Sequence, residues 1–158
     1  MYEHILVALD GSAAAEHVLP HVEALATAFR STVTVLRATL SAEMVVAQTA
    51  AGDATVGQVA PMIDPDPVLD ADRSSAVDYL DSTATRLRQH DLTVNVEHPE
   101  GPAEAVIVER AAALGVGLIC MTTHGRSGLG RVIFGSVADS VLRHAPCPVL
   151  LVHVRDSD

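Results

Sequence analysis

The sequence predicts an α/β domain, a parallel sheet covered by helices on both faces. One sign is that short, nearly continuous apolar runs alternate with longer stretches whose apolar residues fall at helical spacing. Another is that hydrophobic residues make up 49% of the chain and aromatic ones 3%. The core must then be built from Val, Leu, Ile and Ala, the residues of strands buried on both faces. The 158 residues suit one domain with a substantial core, so 1–158 is read as a single unit.

Taken in order, Ile5 to Leu9 is a strand that ends in Asp10-Gly11-Ser12, a turn and helix cap. Val18, Leu19, Val22, Leu25, Ala26 and Phe29 mark one face of a helix from about Ala13 to Phe29, in which Pro20 predicts an early kink. Thr32 to Leu36 is β-branched and makes a second strand, giving a βαβ unit of the length a right-handed crossover needs. Residues from about 39 to 71 read as a mobile surface excursion. Met44 to Val46 is compatible with the start of a short helix, but Gly52, Gly57, Pro61, Pro65 and Pro67 predict irregular chain beyond it. Val77, Leu80, Ala84 and Leu87 then mark a helix from about Asp72 to His90, followed by a strand over Leu92 to Val96. Pro102 opens the next helix and Gly115 stops it. Val116 to Met121 is a fourth strand, Ser136 to His144 a last helix ended by Pro146, and Pro148 to Val154 a fifth strand. The expectation is five strands alternating with four helices, without an internal repeat.

Function is concentrated in Met121 to Val137, MTTHGRSGLGRVIFGSV, a glycine-bearing loop between a strand and a helix. The first turn of a helix offers unpaired N–H groups and a partial positive charge, and glycines let a phosphate approach them. Gly125, Gly128, Gly130 and Gly135 give that access, and Ser136 either caps the helix or offers its hydroxyl to a phosphate oxygen. Glycines also serve tight turns and close packing, so both roles stay open on the loop alone. Asp10 has two open roles as well. It can cap its own turn, or, at the carboxyl end of a central strand, accept hydrogen bonds from a ribose or a base. His124, Arg126 and Arg131 converge on the loop as phosphate partners or as members of surface ion pairs.

The spacing carries more. Gly125, nine residues, then Gly135-Ser136, after a strand ending at Met121 and before HAPCPVLLV, resembles the universal stress protein family. So does ILVALDGS near the start, and the resemblance spans nearly the whole chain except about residues 40–71. The nucleotide-binding branch of that family carries G-x-x-G, nine residues, G-S/T; here Thr122 stands at the first glycine. The resemblance implies a Rossmann-like adenine-nucleotide-binding fold with strand order 3-2-1-4-5. It further implies a stress-response sensor or adaptor that binds ATP, with Mg²⁺ as companion ion. Adenine would lie between Ala8, Leu9, Asp10 and Ala38, and ribose near Asp10, Met121 and Thr122. The phosphates would lie over Gly125, Gly135, Ser136 and Val137, with Arg126 and Gly128 in the same loop. A homodimer is expected through Val149 to Val154, because an apolar last strand at a sheet edge invites pairing with its copy. Thr122 keeps open the alternative of a nucleotide-free dimeric interaction module of the same fold.

Other classes are disfavoured by composition and motif. The net charge is −10, and all ten Lys-plus-Arg residues are Arg, so no basic patch exists to bind nucleic acid. Without lysine there is no Walker-type site, and neither a strand-associated G-x-G-x-x-G nor a G-x-S-x-G occurs. No catalytic residue is assigned, and slow ATP hydrolysis is the most that is expected. His17 and His21 stand four apart on one helix but lack a third ligand, so no metal set is assigned. No apolar run approaches the roughly 18 residues of a membrane span, and none near the start has the flanks of a signal peptide. A cytoplasmic protein with no membrane partner is expected, with Cys120 and Cys147 as reduced thiols.

Overall fold

A computed structural model describes residues 1–51, 64–124 and 135–154. Five parallel strands, β1 (His4–Ala8), β2 (Thr32–Leu36), β3 (Thr93–Glu97), β4 (Leu118–His124) and β5 (Val149–Val154), stand in the order β3-β2-β1-β4-β5. This is the expected sheet. Its helices are α1 (Leu19–Phe29), α2 (Ala42–Ala51), α3 (Asp66–Arg88), α4 (Ala103–Ala113) and α5 (Ser136–His144).

Strand alternation sorts the core into two layers. Ile5, Val7 and Cys120 face α1 and α3, where they meet Val22, Ala26, Leu80, Ala84 and Leu87. Leu6, Ile119 and Met121 face α4 and α5, where they meet Ile107, Ala111, Ala138 and Val141. Chain direction explains the split: the path β1-β2-β3 moves one way across the sheet and the path β3-β4-β5 the other, so right-handed crossovers put their helices on opposite faces. Each fully buried Leu, Ile or Val contributes about 1.5–3 kcal/mol through removal from water. The two-sided apolar strands are thus the main stabilising element.

Several boundaries differ from expectation for identifiable reasons. Pro20 does not kink a helix begun at Ala13. A single 3₁₀ turn, Ala15–Val18, comes first, and α1 starts at Leu19 with Pro20 in its first turn, where the missing N–H has no partner to lose. The excursion expected over 39–71 is helical on both sides of residues 52–63, which lie outside the described residues. Ser41 starts α2 by accepting the Met44 N–H at its hydroxyl (3.4 Å). Pro65 and Pro67, expected to interrupt regular structure, flank the first residue of α3, which begins at Asp66 and not Asp72. Their fixed φ suits a helix start, and Asp66 places negative charge at its positive end. Five α-helices are therefore present among the described residues, not four. Gly115 does stop α4, at φ +59, with the Val116 and Gly115 N–H groups bonding back to Ala111 and Ala112 carbonyls (3.1 and 3.2 Å). No helix among the described residues is long and apolar enough to cross a membrane.

One feature of the sheet positions everything that follows. Pairing between β1 and β4 ends at Val7–Cys120, whereas β1 stays with β2 to Ala8–Leu36 and β4 stays with β5 to His124–Val154. The Leu9 N–H continues on the β2 side, bonding Leu36 O at 2.9 Å. The two central strands part at their carboxyl ends, where the strand order reverses.

Candidate functional site

A cleft of about 270 Å³ opens where β1 and β4 part. That is just below the usual range for small-molecule sites, about 300–1,000 Å³. It brings together nine of the residues singled out in the sequence: Ala8, Leu9, Asp10, Ala38, Met121, Thr122, Gly135, Ser136 and Val137. The other three, Gly125, Arg126 and Gly128, lie outside the described residues, as do Gly130 and Arg131.

The lining changes character along the sheet. At the β2 end Leu36, Ala38, Ala103 and Ile107 make an apolar wall that suits a flat ring. Asp10 lines the cleft from the end of β1, Thr122 and Thr123 from β4, and Gly135 to Ala138 from the start of α5. Asp10 is the only charged side chain among the described lining residues. Its Oδ1 accepts the Ser12 N–H at 2.8 Å, so the turn-capping role is fulfilled. Its other oxygen has no partner among the described residues. Gly11 makes this turn possible at φ +87, and a Cβ there would lie 3.4 Å from the Arg37 guanidinium. Arg37 in turn pairs with Asp72 at 3.1 Å, and Asp72 accepts the Leu40 N–H at 2.8 Å, which ties the exit of β2 to α3 beneath the cleft.

The start of α5 is arranged for an acceptor. Ser136 is not its cap: Gly135 holds that position, and no side chain caps the helix. The first intrahelical bond is from Asp139 N–H to Gly135 O at 2.9 Å, so the N–H groups of Ser136, Val137 and Ala138 precede it. Gly135 has φ −59, which any residue adopts, and a Cβ there would meet no described atom within 4 Å. Neither backbone strain nor packing requires glycine at this point. The space beside it is open to a ligand.

Sequence reasoning missed Ala15, Leu36, Ala103, Ile107, Thr123 and Ala138. Strand alternation could have found two of them, since Leu36 shares a face with Ala38 and Thr123 with Met121. Ala103 and Ile107 reach the cleft because α4 crosses back over the sheet, which no local pattern reveals.

The profile of the universal stress protein family matches residues 1–153. A universal stress protein of Methanocaldococcus jannaschii is 44% identical over 59 residues, 37% of this chain and 35% of that protein. The matched stretch thus spans about a third of the length of the curated relatives. Among solved structures, a member of that family from Burkholderia pseudomallei aligns over 96% of each chain with TM-score 0.70 and 25% identity. Two more distant structures share the fold. A universal stress protein in complex with cAMP has TM-score 0.67 and 18% identity over 98% of each chain. An Arabidopsis thaliana protein with AMP bound has TM-score 0.65 and 13% identity over 97% of this chain and 92% of its own.

Proposed function

The chain belongs to the universal stress protein family, and from that premise we propose that it holds an adenine nucleotide, ATP with Mg²⁺, in the cleft between β1 and β4 and serves the stress response as a sensor or adaptor. The observation that carries this is the parting of the two central strands against an uncapped helix start, since open parallel sheets bind ligands at that kind of opening. In this reading the base lies between Ala8, Leu9 and Asp10 and the wall of Leu36 and Ala38. The sugar lies beside Thr122 and the Asp10 oxygen that has no partner among the described residues, and the phosphates over Gly135, Ser136 and Val137, all of which line the cleft. Gly125, Arg126 and Gly128, which the resemblance assigns to the phosphate end, lie outside the described residues. Two proteins of this fold were solved with adenine nucleotides, cAMP in one and AMP in the other, which favours the same ligand class here. This reading is of a holding role with at most slow ATP hydrolysis, Asp10 being the one ionisable side chain among the described lining residues. The unit acts as one domain in the cytoplasm.

A second reading, a nucleotide-free dimeric module, is favoured by Thr122, whose side chain lines the cleft where the family's nucleotide-binding branch has glycine. Melting with ATP and Mg²⁺ separates the two. At about a hundred times the dissociation constant, linkage adds roughly 2.7 kcal/mol, a shift of several degrees in a domain of this size. Gly135→Val should abolish that shift and Thr122→Gly preserve or enlarge it. A melting temperature unmoved by millimolar ATP, with no nucleotide carried through purification, would establish the second reading.

A further inference from the structure

We propose that Thr123 is a direct ligand contact, its hydroxyl donating to a phosphoryl group held at the start of α5. The inference rests on the nucleotide reading and adds to it a residue that neither motif nor resemblance assigns. Thr123 is 4% exposed, and its Oγ1 has no hydrogen-bond partner among the described residues. Buried hydroxyls are nearly always paired, because an unpaired one has given up its water for nothing. A valine of the same shape would fill this place without that cost. The hydroxyl therefore calls for a partner that none of the described residues supplies.

Its position says what kind of partner. Thr123 lies on the same face of β4 as Ile119 and Met121, which pack with Ala138 and Val141 of α5. It shares the lining of the cleft with Gly135 to Ala138, where the leading N–H groups of α5 precede the first intrahelical bond. A single group that accepts from a hydroxyl and from a helix start together needs several lone pairs and negative charge. A phosphoryl group meets both needs, whereas a ring nitrogen or a sugar hydroxyl does not. The Asp10 carboxylate, at the end of β1, disfavours an anion beside it and so favours one at the start of α5.

Calorimetric titration of the full chain with adenosine, AMP and ATP–Mg²⁺, alongside melting of the ligand-free protein, tests this. Thr123→Val should raise the ligand-free melting temperature and weaken AMP and ATP by about tenfold or more, the worth of a hydrogen bond to a charged group. Adenosine affinity should stay as in the parent, and Thr123→Ser should restore AMP and ATP binding. If Thr123→Val fails to fold, Thr123→Ala carries the comparison, with the same selective loss expected. Lower melting with unchanged AMP affinity would make the hydroxyl structural and overturn the proposal. So would equal losses for adenosine and AMP, or no rescue by serine. A parent protein that binds none of the three overturns the nucleotide reading itself, and this inference with it; a parent that binds them while every Thr123 variant matches it overturns this inference alone.

Discussion

Tyr79 on α3 carries a buried hydroxyl without a hydrogen-bond partner of good geometry among the described residues. Burial first, and the Glu16 carboxylate second, push its phenol from 10.0 up to about 12. Cys120 is pushed from 9.0 up to about 12, chiefly by burial. Both groups hold their protons more tightly folded than unfolded. Their contribution to stability is complete below the unfolded values and is lost as pH rises through the folded ones. Chemical denaturation should therefore show stability that is level in these two groups up to about pH 9 and falls between about pH 9 and 12. Tyr79→Phe keeps the ring and removes the orphan hydroxyl, so it should stabilise by about 1 kcal/mol and make the alkaline fall shallower. A stability loss on that substitution would mean the hydroxyl is paired in solution. Residues such as Asp10 and Gly135 were legible in the sequence because their neighbours form a motif. Thr123 and Tyr79 were not, because an unpaired hydroxyl is defined by what surrounds it in space.

At the level of elements, prolines show most clearly what a one-dimensional reading loses. Pro20, Pro65 and Pro67 each carry the same local restriction, yet all three serve helix beginnings. Whether a proline bends, ends or begins a helix depends on which residue is the first to donate backward, and that is fixed by tertiary packing. Four strands were legible to within a residue, and β4, expected over Val116 to Met121, runs Leu118–His124; their apolar runs must be buried on both faces, a demand that local sequence states directly. The junction of β2 with α3 was not legible. There Asp72 accepts from both Arg37 (3.1 Å) and the Leu40 N–H (2.8 Å), with the two side chains only 17% and 19% exposed. Asp72→Ala strands a partly buried guanidinium and an N–H together, so equilibrium unfolding should register a loss of about 2–4 kcal/mol. A loss within about 0.5 kcal/mol, as at an ordinary surface position, would show that the pair is solvated in practice.

Across the whole molecule the two edges of the sheet are unlike. At β3 the exposed Thr93 and Asn95 alternate with inward residues, Glu97 is paired with Arg110 at 2.5 and 2.7 Å, and Arg88 donates to the Val94 carbonyl at 2.7 Å. Charge and side-chain hydrogen bonds of this kind discourage further strand pairing. At the opposite edge, β5 presents Val149, Leu150, Leu151, Val152 and Val154, none of them fully buried. The expected outcome is a two-fold dimer joined at β5, seen by sedimentation at micromolar concentration as a species of twice the monomer's 16.5 kDa. A single species of monomer mass would refute it. Replacing Leu151 or Val152 by Arg should shift the population to monomer while leaving the two-layered core intact.

The parting of β1 from β4 also has a signature in time. In the first half of β4, Ile119 and Cys120 are held between two strands, whereas Met121 to His124 have a neighbouring strand on the β5 side alone. Amides in the second half can open without breaking the sheet, so in deuterated buffer they should exchange sooner than those of Ile119 and Cys120, through local opening and not global unfolding. A nucleotide seated in the gap would then slow exchange in one strand half and leave the other unchanged, reporting occupancy residue by residue on a molecule that need not change shape at all.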